Sequence, residues 1–226
     1  MCSSDLGERE YYAALNDFFT TQDMVLYELV AEPDEVPLRG SRDSGSVIGF
    51  IQQAMAKFLG IGFQLEEVDY SQPNFLHADL TPSQLDTLMA GKNENFFTMF
   101  LNLVMAQMAE QNTASGQPPS SLTMLSLMSA MNAENQNAAI KFLFAEELGR
   151  SGGVIVGEEL EQGLTILGDR NRAALLVLGK TLQSPDSRRI SLFYGAAHMP
   201  GIDRELAATL VFSLVGWRWQ TAWQTP

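Results

Sequence analysis

The 226-residue sequence has a single cysteine, Cys2, and only two histidines. With one thiol, neither an internal disulfide nor a thiolate zinc cluster can form within the chain. Any metal site must therefore use histidine and carboxylate side chains.

Long apolar runs are also missing. The most apolar segment, residues 96–109, is shorter than the roughly 18 residues of a membrane-spanning helix and carries Asn102 and Gln107. The sequence therefore predicts no transmembrane segment.

Basic residues are scarce as well. Lysine and arginine number 14 against 27 aspartate and glutamate residues, a formal net charge of -13. This field repels phosphate backbones and anionic membrane surfaces, so it argues against a nucleic-acid partner, whereas divalent cations would be attracted.

The hydrophobic content of 46% argues against disorder and suffices for one core. We therefore expect a single domain over residues 1–226, with a helical insert over residues 93–150.

Several standard catalytic signatures are absent from the sequence. It contains no H-E-x-x-H, G-x-S-x-G, G-x-x-x-x-G-K or G-x-G-x-x-G motif and no EF-hand loop. These absences exclude the commonest zinc proteases, the α/β-hydrolases, the P-loop ATPases and simple dinucleotide binding.

The first six residues, "MCSSDL", have neither the basic nor the apolar stretch of a signal peptide. Cys-Ser-Ser-Asp-Leu is the translation of a DNA string that is common in sequencing adapters. We therefore expect residues 1–6 to be a translated adapter on a truncated gene. The alternative is an ordinary polar N-terminus.

The spacing of apolar residues within successive segments predicts the order of helices and strands. In the first part of the chain we expect a helix over 7–22, a strand over 23–30, a loop over 31–46, a helix over 47–60 and a strand over 63–70. A further helix begins at Thr81 and Pro82, an N-cap followed by proline at the first helical position.

In the second part, seven of the eleven methionines lie between Met89 and Met131. They either fill the core of the helical insert or line an adaptable binding groove.

After the insert we expect a helix over 171–182, a strand over 188–194, a helix over 203–210 and a strand-like segment over 210–223 whose tryptophans pack near the sheet edge. Strands alternating with helices predict an α/β fold, a mixed sheet flanked by helices.

Four residues are candidates for chemistry. Glu28 ends an apolar strand, where a carboxylate must be paired, bind a metal or reach solvent. Arg170 lies near a helix start, where a cation needs a carboxylate or an anionic ligand unless it is solvated. His198 follows a strand in "GAAH", at the end where α/β sheets bind ligands, so it is either a metal ligand or base, or a structural histidine at a strand-to-helix turn. His77 precedes the capped helix, where it either binds a ligand or hydrogen-bonds the backbone.

In order and spacing, the segments "EREYYAALNDFF", "VLYELV", "GDRNRAAL" and "YGAAHMPGIDREL" resemble the TraB/PrgY/GumN family, the bacterial branch of the Tiki/TraB superfamily. The resemblance covers residues 7–80 and 152–223. It implies an α/β fold like that of erythromycin-esterase-like and ChaN-like proteins, and two G-x-x-H motifs with a glutamate and an arginine between them. His198 with Gly195 matches the second motif, Glu28 the glutamate and Arg170 the arginine.

The first G-x-x-H motif of the family has no match in this chain. It should lie directly ahead of Gly7, where the chain has "CSSDL" and Asp5 stands in place of the histidine. The resemblance implies a two-histidine, one-carboxylate site, with Glu28 and His198 as metal ligands present here. Such a set suits Zn, Mn or Co, with Fe also compatible. Because one ligand is missing, we expect weak metal affinity and little hydrolytic activity.

The resemblance therefore implies a metal-dependent hydrolase acting on a peptide or protein substrate, with Glu28, Arg170 and His198 as its catalytic residues. A non-catalytic module that captures a peptide, a signal molecule or haem is the alternative, with the methionine-rich helices 96–131 as its groove. A domain whose site has decayed is a third possibility.

Overall fold

A three-layer α/β arrangement is present in the part of the chain that can be described. The computed structural model describes residues 6–7, 9–32, 62–94 and 158–222, together with a few positions between 129 and 143. Helices lie on both faces of a small open sheet, so the predicted α/β class is confirmed for these residues.

The helices and strands follow one another in a simple order. The described elements are β1 (Leu6–Gly7), α1 (Arg9–Thr20), β2 (Met24–Tyr27), β3 (Gly62–Phe63), α2 (Gln64–Glu67), β4 (Phe75–His77), α3 (Pro82–Gly91), α4 (Glu158–Gly163), a π-helical turn (Thr165–Asp169), α5 (Arg170–Thr181), β5 (Ile190–Phe193), a 3-10 turn (Ala196–His198) and α6 (Met199–Ala208).

The central sheet has three strands in the order β4-β2-β5, and among the described residues it is wholly parallel rather than mixed as predicted. In the register of the sheet, Tyr27 at the end of β2 lies opposite His77 on one side and Phe193 on the other. The three strands therefore end at one edge. The short strands β1 and β3 form a separate antiparallel pair.

Strand β2 is buried on both faces. Val25 and Tyr27 belong to an apolar cluster with α1, whereas Leu26 belongs to a second cluster with residues of α5 and α6. Parallel strands covered by helices on both sides need a continuous apolar sequence, because neither face reaches water. The run "MVLY" meets that requirement and explains why a strand forms within the predicted range 23–30, although only over Met24–Tyr27.

The start of α3 is the one that the sequence predicts. The Thr81 hydroxyl oxygen accepts a hydrogen bond from the Gln84 N–H, and the Gln84 side-chain oxygen accepts one from the Thr81 N–H. This capping box, with Pro82 at the first helical position, satisfies backbone donors that the helix itself leaves unpaired.

The predicted strand over residues 63–70 is wrong after its first residue. Strand β3 ends at Phe63, and Gln64–Glu67 form the helical turn α2. Glutamine, leucine and glutamate all favour helix, which outweighs the apolar alternation on which the prediction rested. Strand β4 was not predicted, because its three residues are too few to establish a period.

The strand-like interpretation of residues 210–223 is also wrong where the structure describes them. Residues 211–221 form no regular element, and Trp217 and Trp219 are 70% and 85% exposed. A strand needs a neighbouring edge to satisfy its backbone groups, and among the described residues none pairs with this segment. Its β-forming composition alone therefore does not produce a strand.

The helix boundaries in the last third of the chain also differ from those predicted. Helix α5 begins at Arg170, directly after the π-helical turn, and α6 begins at Met199 rather than at 203.

Several predicted elements lie outside the described residues: most of the loop over 31–46, the helix over 47–60 and most of the insert over 93–150. Within the described ranges, no helix has the length and apolar character needed to cross a bilayer.

Candidate functional site at the carboxyl edge of the sheet

The ends of the three parallel strands bring distant parts of the sequence together. The Glu28 N–H donates to the Phe193 carbonyl at 3.1 Å, and the Ala78 N–H donates to the Tyr27 carbonyl at 3.1 Å. The residues that follow the strands therefore lie side by side at the edge where open α/β sheets bind ligands.

Two donors hold Glu28 at this edge, and the ring of His198 lies beside it. Its Oε1 accepts a hydrogen bond from Arg170 Nη2 at 2.8 Å and lies 3.3 Å from His198 Nε2. Its Oε2 accepts from the Gly195 backbone N–H at 2.6 Å. The side chain is 19% exposed. Of the alternatives open for Glu28, the structure therefore favours the paired carboxylate over one that reaches solvent.

The surroundings of Glu28 keep it ionised. Burial by itself opposes ionisation, but the Arg170 charge, the His198 side chain and the Gly195 N–H together hold the pKa of Glu28 well below its ordinary value. The side chain is therefore a permanent carboxylate around neutral pH.

Arg170 joins two of the strand ends. Its Nε lies 3.0 Å from Asp79 Oδ1 and its Nη2 lies 2.5 Å from Asp79 Oδ2, while the same Nη2 reaches Glu28. Burial works against the charged form, yet the charge of Glu28 and the Asp79 carboxylate raise the pKa of Arg170 above its ordinary value. Two carboxylates therefore offset the unfavourable position of this cation at a helix start.

Asp79 is a site residue that the sequence analysis missed. It comes two residues after β4, and its side chain is fully buried. An aspartate just beyond a strand is the same signal that singled out Glu28. The signal went unnoticed because the strand in front of it was not predicted.

His198 is buried between Glu28 and a second polar residue. It ends the 3-10 turn after β5, and only 4% of it is exposed. Its Nδ1 lies 2.6 Å from Asn171 Oδ1, and its ring packs edge-on against Tyr194 with the centroids 5.8 Å apart. The structure therefore brings together all three residues on which the resemblance bears: Glu28, Arg170 and His198.

His77 lies outside this cluster. Its Nε2 is 2.6 Å from the Leu29 carbonyl oxygen, and its ring packs edge-on against Tyr27. The geometry is that of a histidine bonded to the backbone, which is the structural alternative for this residue.

The cluster carries an excess of negative charge. Glu28 and Asp79 share one guanidinium, that of Arg170, so one negative charge is left to be balanced by a cation. At a largely buried edge an unbalanced carboxylate is costly, and a proton on His198 or a bound metal ion would balance it.

The residues fit a metal ion in part. His198 Nε2 and Glu28 Oε1 are 3.3 Å apart, and two ligand atoms about 2.1 Å from one tetrahedral ion lie roughly 3.4 Å apart. Arg170, however, already occupies Glu28 Oε1. Across the described ranges, no group of three or more histidine, cysteine, aspartate or glutamate residues is placed to hold a metal. The pair fits as two ligands of a larger set.

Comparison of the chain with models of protein families, with curated proteins and with solved structures gives no match. The methionine-rich segment over 96–131, for which a core and a groove are the two alternatives, lies outside the described residues except at position 129.

Proposed function

We propose that this protein is a metal-dependent hydrolase of peptide or protein substrates, of the TraB/PrgY/GumN type, with its site at the carboxyl edge of the parallel sheet. One observation carries the proposal. Glu28 Oε1 lies 3.3 Å from His198 Nε2, at a sheet edge whose two carboxylates exceed the single arginine charge. That arrangement has the ligand types, the spacing and the charge that suit a divalent cation.

The side chains have distinct roles in this proposal. Glu28 and His198 are the metal ligands that the chain supplies, and Gly195 orients the carboxylate through its N–H. A bound Zn, Mn or Co ion would lower the pKa of a bound water and polarise the scissile carbonyl. Arg170 orients Glu28 rather than meeting an oxyanion, because its Nε and Nη2 are engaged by Asp79 and Glu28.

Two ligands alone bind a divalent ion weakly, because catalytic zinc sites use three protein ligands. The resemblance places the third, a histidine, at position 5, with its glycine at position 2. We therefore expect the chain with Cys2 and Asp5 to bind metal weakly and to hydrolyse peptides slowly or not at all.

The test is to restore the motif. The double variant Cys2→Gly/Asp5→His is titrated with Mn²⁺ and with Zn²⁺ by calorimetry, beside the original chain. Glu28→Gln and His198→Ala are introduced singly into the restored background. His77→Ala is the matched control, because it removes the other histidine of the chain, whose partner is a backbone carbonyl.

We expect the restored chain to bind metal at least about tenfold more tightly than the original, in line with the affinity that one ligand or its support contributes. Glu28→Gln and His198→Ala should abolish the gain, and His77→Ala should leave it unchanged. Metal-dependent cleavage of a quenched fluorescent peptide library should follow the same order. No gain in affinity, or a gain that survives His198→Ala, would overturn the proposal.

The alternative is a binding module for a peptide, a signal molecule or haem. It rests on the methionine-rich segment and has no support from the described contacts. Peptide binding that is unaffected by metal, by Glu28→Gln and by His198→Ala would favour it over the hydrolase.

A further inference from the structure

A line of buried side chains leads from His198 away from Glu28. Asn171 Oδ1 lies 2.6 Å from His198 Nδ1, and Asn171 Nδ2 lies 3.1 Å from Glu161 Oε1. At the far end, Arg204 Nη2 donates to Glu161 Oε2 at 3.2 Å. His198, Asn171 and Glu161 are each 4% exposed. The line therefore joins α4, α5 and α6 to the ring of His198 inside the protein.

The donors and acceptors along this line have only one consistent assignment. The carboxylate of Glu161 can only accept, so Asn171 must turn its NH₂ group towards it. The Asn171 carbonyl oxygen then faces His198 Nδ1, and a carbonyl oxygen can only accept. Nδ1 must therefore carry a proton, and Nε2 is the ring nitrogen left facing Glu28.

Gly201 makes this close arrangement possible. A Cβ atom at this position would lie 1.8 Å from Glu161 Oε1 and 2.6 Å from Asn171 Nδ2. Any other residue would push the carboxylate and the amide apart. The glycine in "HMPG" thus allows α6 to approach the two side chains that orient His198.

We propose that Asn171 and Glu161 are positioning residues that hold the neutral ring of His198 in its Nδ1–H tautomer. The lone pair of Nε2 is then directed towards Glu28, where it can take up a metal ion or a proton. Histidines that ligate metals usually donate their other ring N–H to a neighbouring acceptor. The use of this tautomer rests on the proposed hydrolase, but its existence does not depend on metal or substrate.

The two histidines of the chain provide an internal comparison. His77 presents Nε2 to the carbonyl oxygen of Leu29, so its neutral ring must carry the proton on Nε2. We therefore expect opposite tautomers for the two rings. Both can be read from the ¹⁵N shifts and the two-bond couplings of the imidazole nitrogens, recorded on the labelled full chain without metal at about pH 9.5, where an unperturbed imidazole is neutral.

Variants separate the tautomer from mere structural support. Glu161→Gln lets the amide of Asn171 turn over, because a glutamine can donate or accept, so we expect the Nδ1–H population of His198 to fall. The double variant Glu161→Gln/Asn171→Asp exchanges the amide and the carboxylate between the two positions and should restore it. Glu205→Gln is the matched control, since Glu205 lies on the same helix as Arg204 and bonds Thr209 at the exposed end.

An Nε2–H or mixed tautomer for His198 in the unmodified chain would overturn the inference. So would a ring that keeps both protons at about pH 9.5, or a tautomer that Glu161→Gln leaves unchanged. Metal titration decides the hydrolase separately. Nδ1–H without metal uptake in the restored chain would remove the proposed function alone, and metal uptake with the Nε2–H tautomer would remove the positioning inference alone.

Discussion

Arg170 Nη2 donates a hydrogen bond to Glu28 Oε1 at 2.8 Å, although the two residues are 142 positions apart in the sequence. The same guanidinium holds Asp79 along its other edge, so one side chain at the start of α5 ties together the ends of β2 and β4. Buried ion pairs contribute little net stability, because desolvation offsets their attraction, but removing one partner is costly. The contact therefore determines the geometry of the site more than the stability of the fold.

Arg170→Lys should lower the free energy of unfolding far more than Arg172→Lys does. A lysine ammonium cannot bridge two carboxylates as a planar guanidinium does. We expect the free energy of unfolding to fall by about 3–5 kcal/mol, as for a broken buried pair. Urea denaturation followed by circular dichroism measures it.

Arg172→Lys is the matched control for that change. Arg172 pairs with Asp169, but its side chain is 56% exposed, so we expect a loss of less than about 1 kcal/mol. Equal losses for the two variants would show that the bridge between Glu28 and Asp79 has no special importance.

Gly201→Ala should destabilise the protein, whereas Gly179→Ala should stabilise it. The added methyl group at 201 would collide with Glu161 and Asn171, and overpacking of this kind typically costs about 1–3 kcal/mol. At Gly179, inside α5, nothing lies within 4 Å of the new Cβ, and alanine favours a helix over glycine by about 0.5–1 kcal/mol.

Opposite shifts of the thermal midpoint, measured by calorimetry, check this pair of glycine variants. If Gly201→Ala raised the midpoint, the close approach of α6 to Glu161 would not be a feature of the folded protein.

The stability that Asp169 contributes should depend on pH. Burial opposes its ionisation, but hydrogen bonds from Lys92 and Arg172 lower the pKa of Asp169 in the folded protein. A lowered pKa means that the contribution is complete above the unfolded value of about 4 and is lost as pH falls through the lower folded value. The destabilisation by Asp169→Asn should therefore be larger near pH 7 than near about pH 3.

Urea midpoints of the original chain and of Asp169→Asn at the two pH values measure that difference. Lys92→Gln removes one of the two partners, so in its background the pH dependence of the Asp169→Asn effect should shrink. A destabilisation that stays the same at both pH values would contradict the assignment.

Much of the sheet edge could be predicted from local patterns. The strand at 24–27 is an apolar run followed by Glu28, the strand at 190–193 is apolar except for Ser191, and the start of α3 has a capping sequence. Glu28 and Arg170 stood out because each is a charged group in a position that would be unfavourable without a partner. His198 stood out because it follows a strand at the edge where α/β sheets bind ligands. The catalytic roles that the resemblance implies for them remain predictions.

The remaining site residues could not be recognised from local patterns. Asp79 follows a strand of only three residues, which is too short for a recognisable period. Asn171 and Glu161 are common polar residues in helical sequence, and their importance comes from contacts with His198. Residues 211–221 are the opposite case. Their β-forming composition predicts a strand, but a strand needs a neighbouring edge to pair with, and these residues form no regular element.

The sequence by itself determined that this chain has an α/β core, that a thiolate zinc cluster within the chain is excluded, and that Glu28 must be paired, bind a metal or reach solvent. These properties follow from the composition and from free-energy costs that depend only on residues near one another in the sequence. Only the tertiary structure decided that the partners are Arg170, the Gly195 N–H and His198, and that Asn171 orients the histidine ring. The reason is that the parallel register of β4, β2 and β5 sets which strand ends meet, and that register depends on long-range packing on both faces of the sheet.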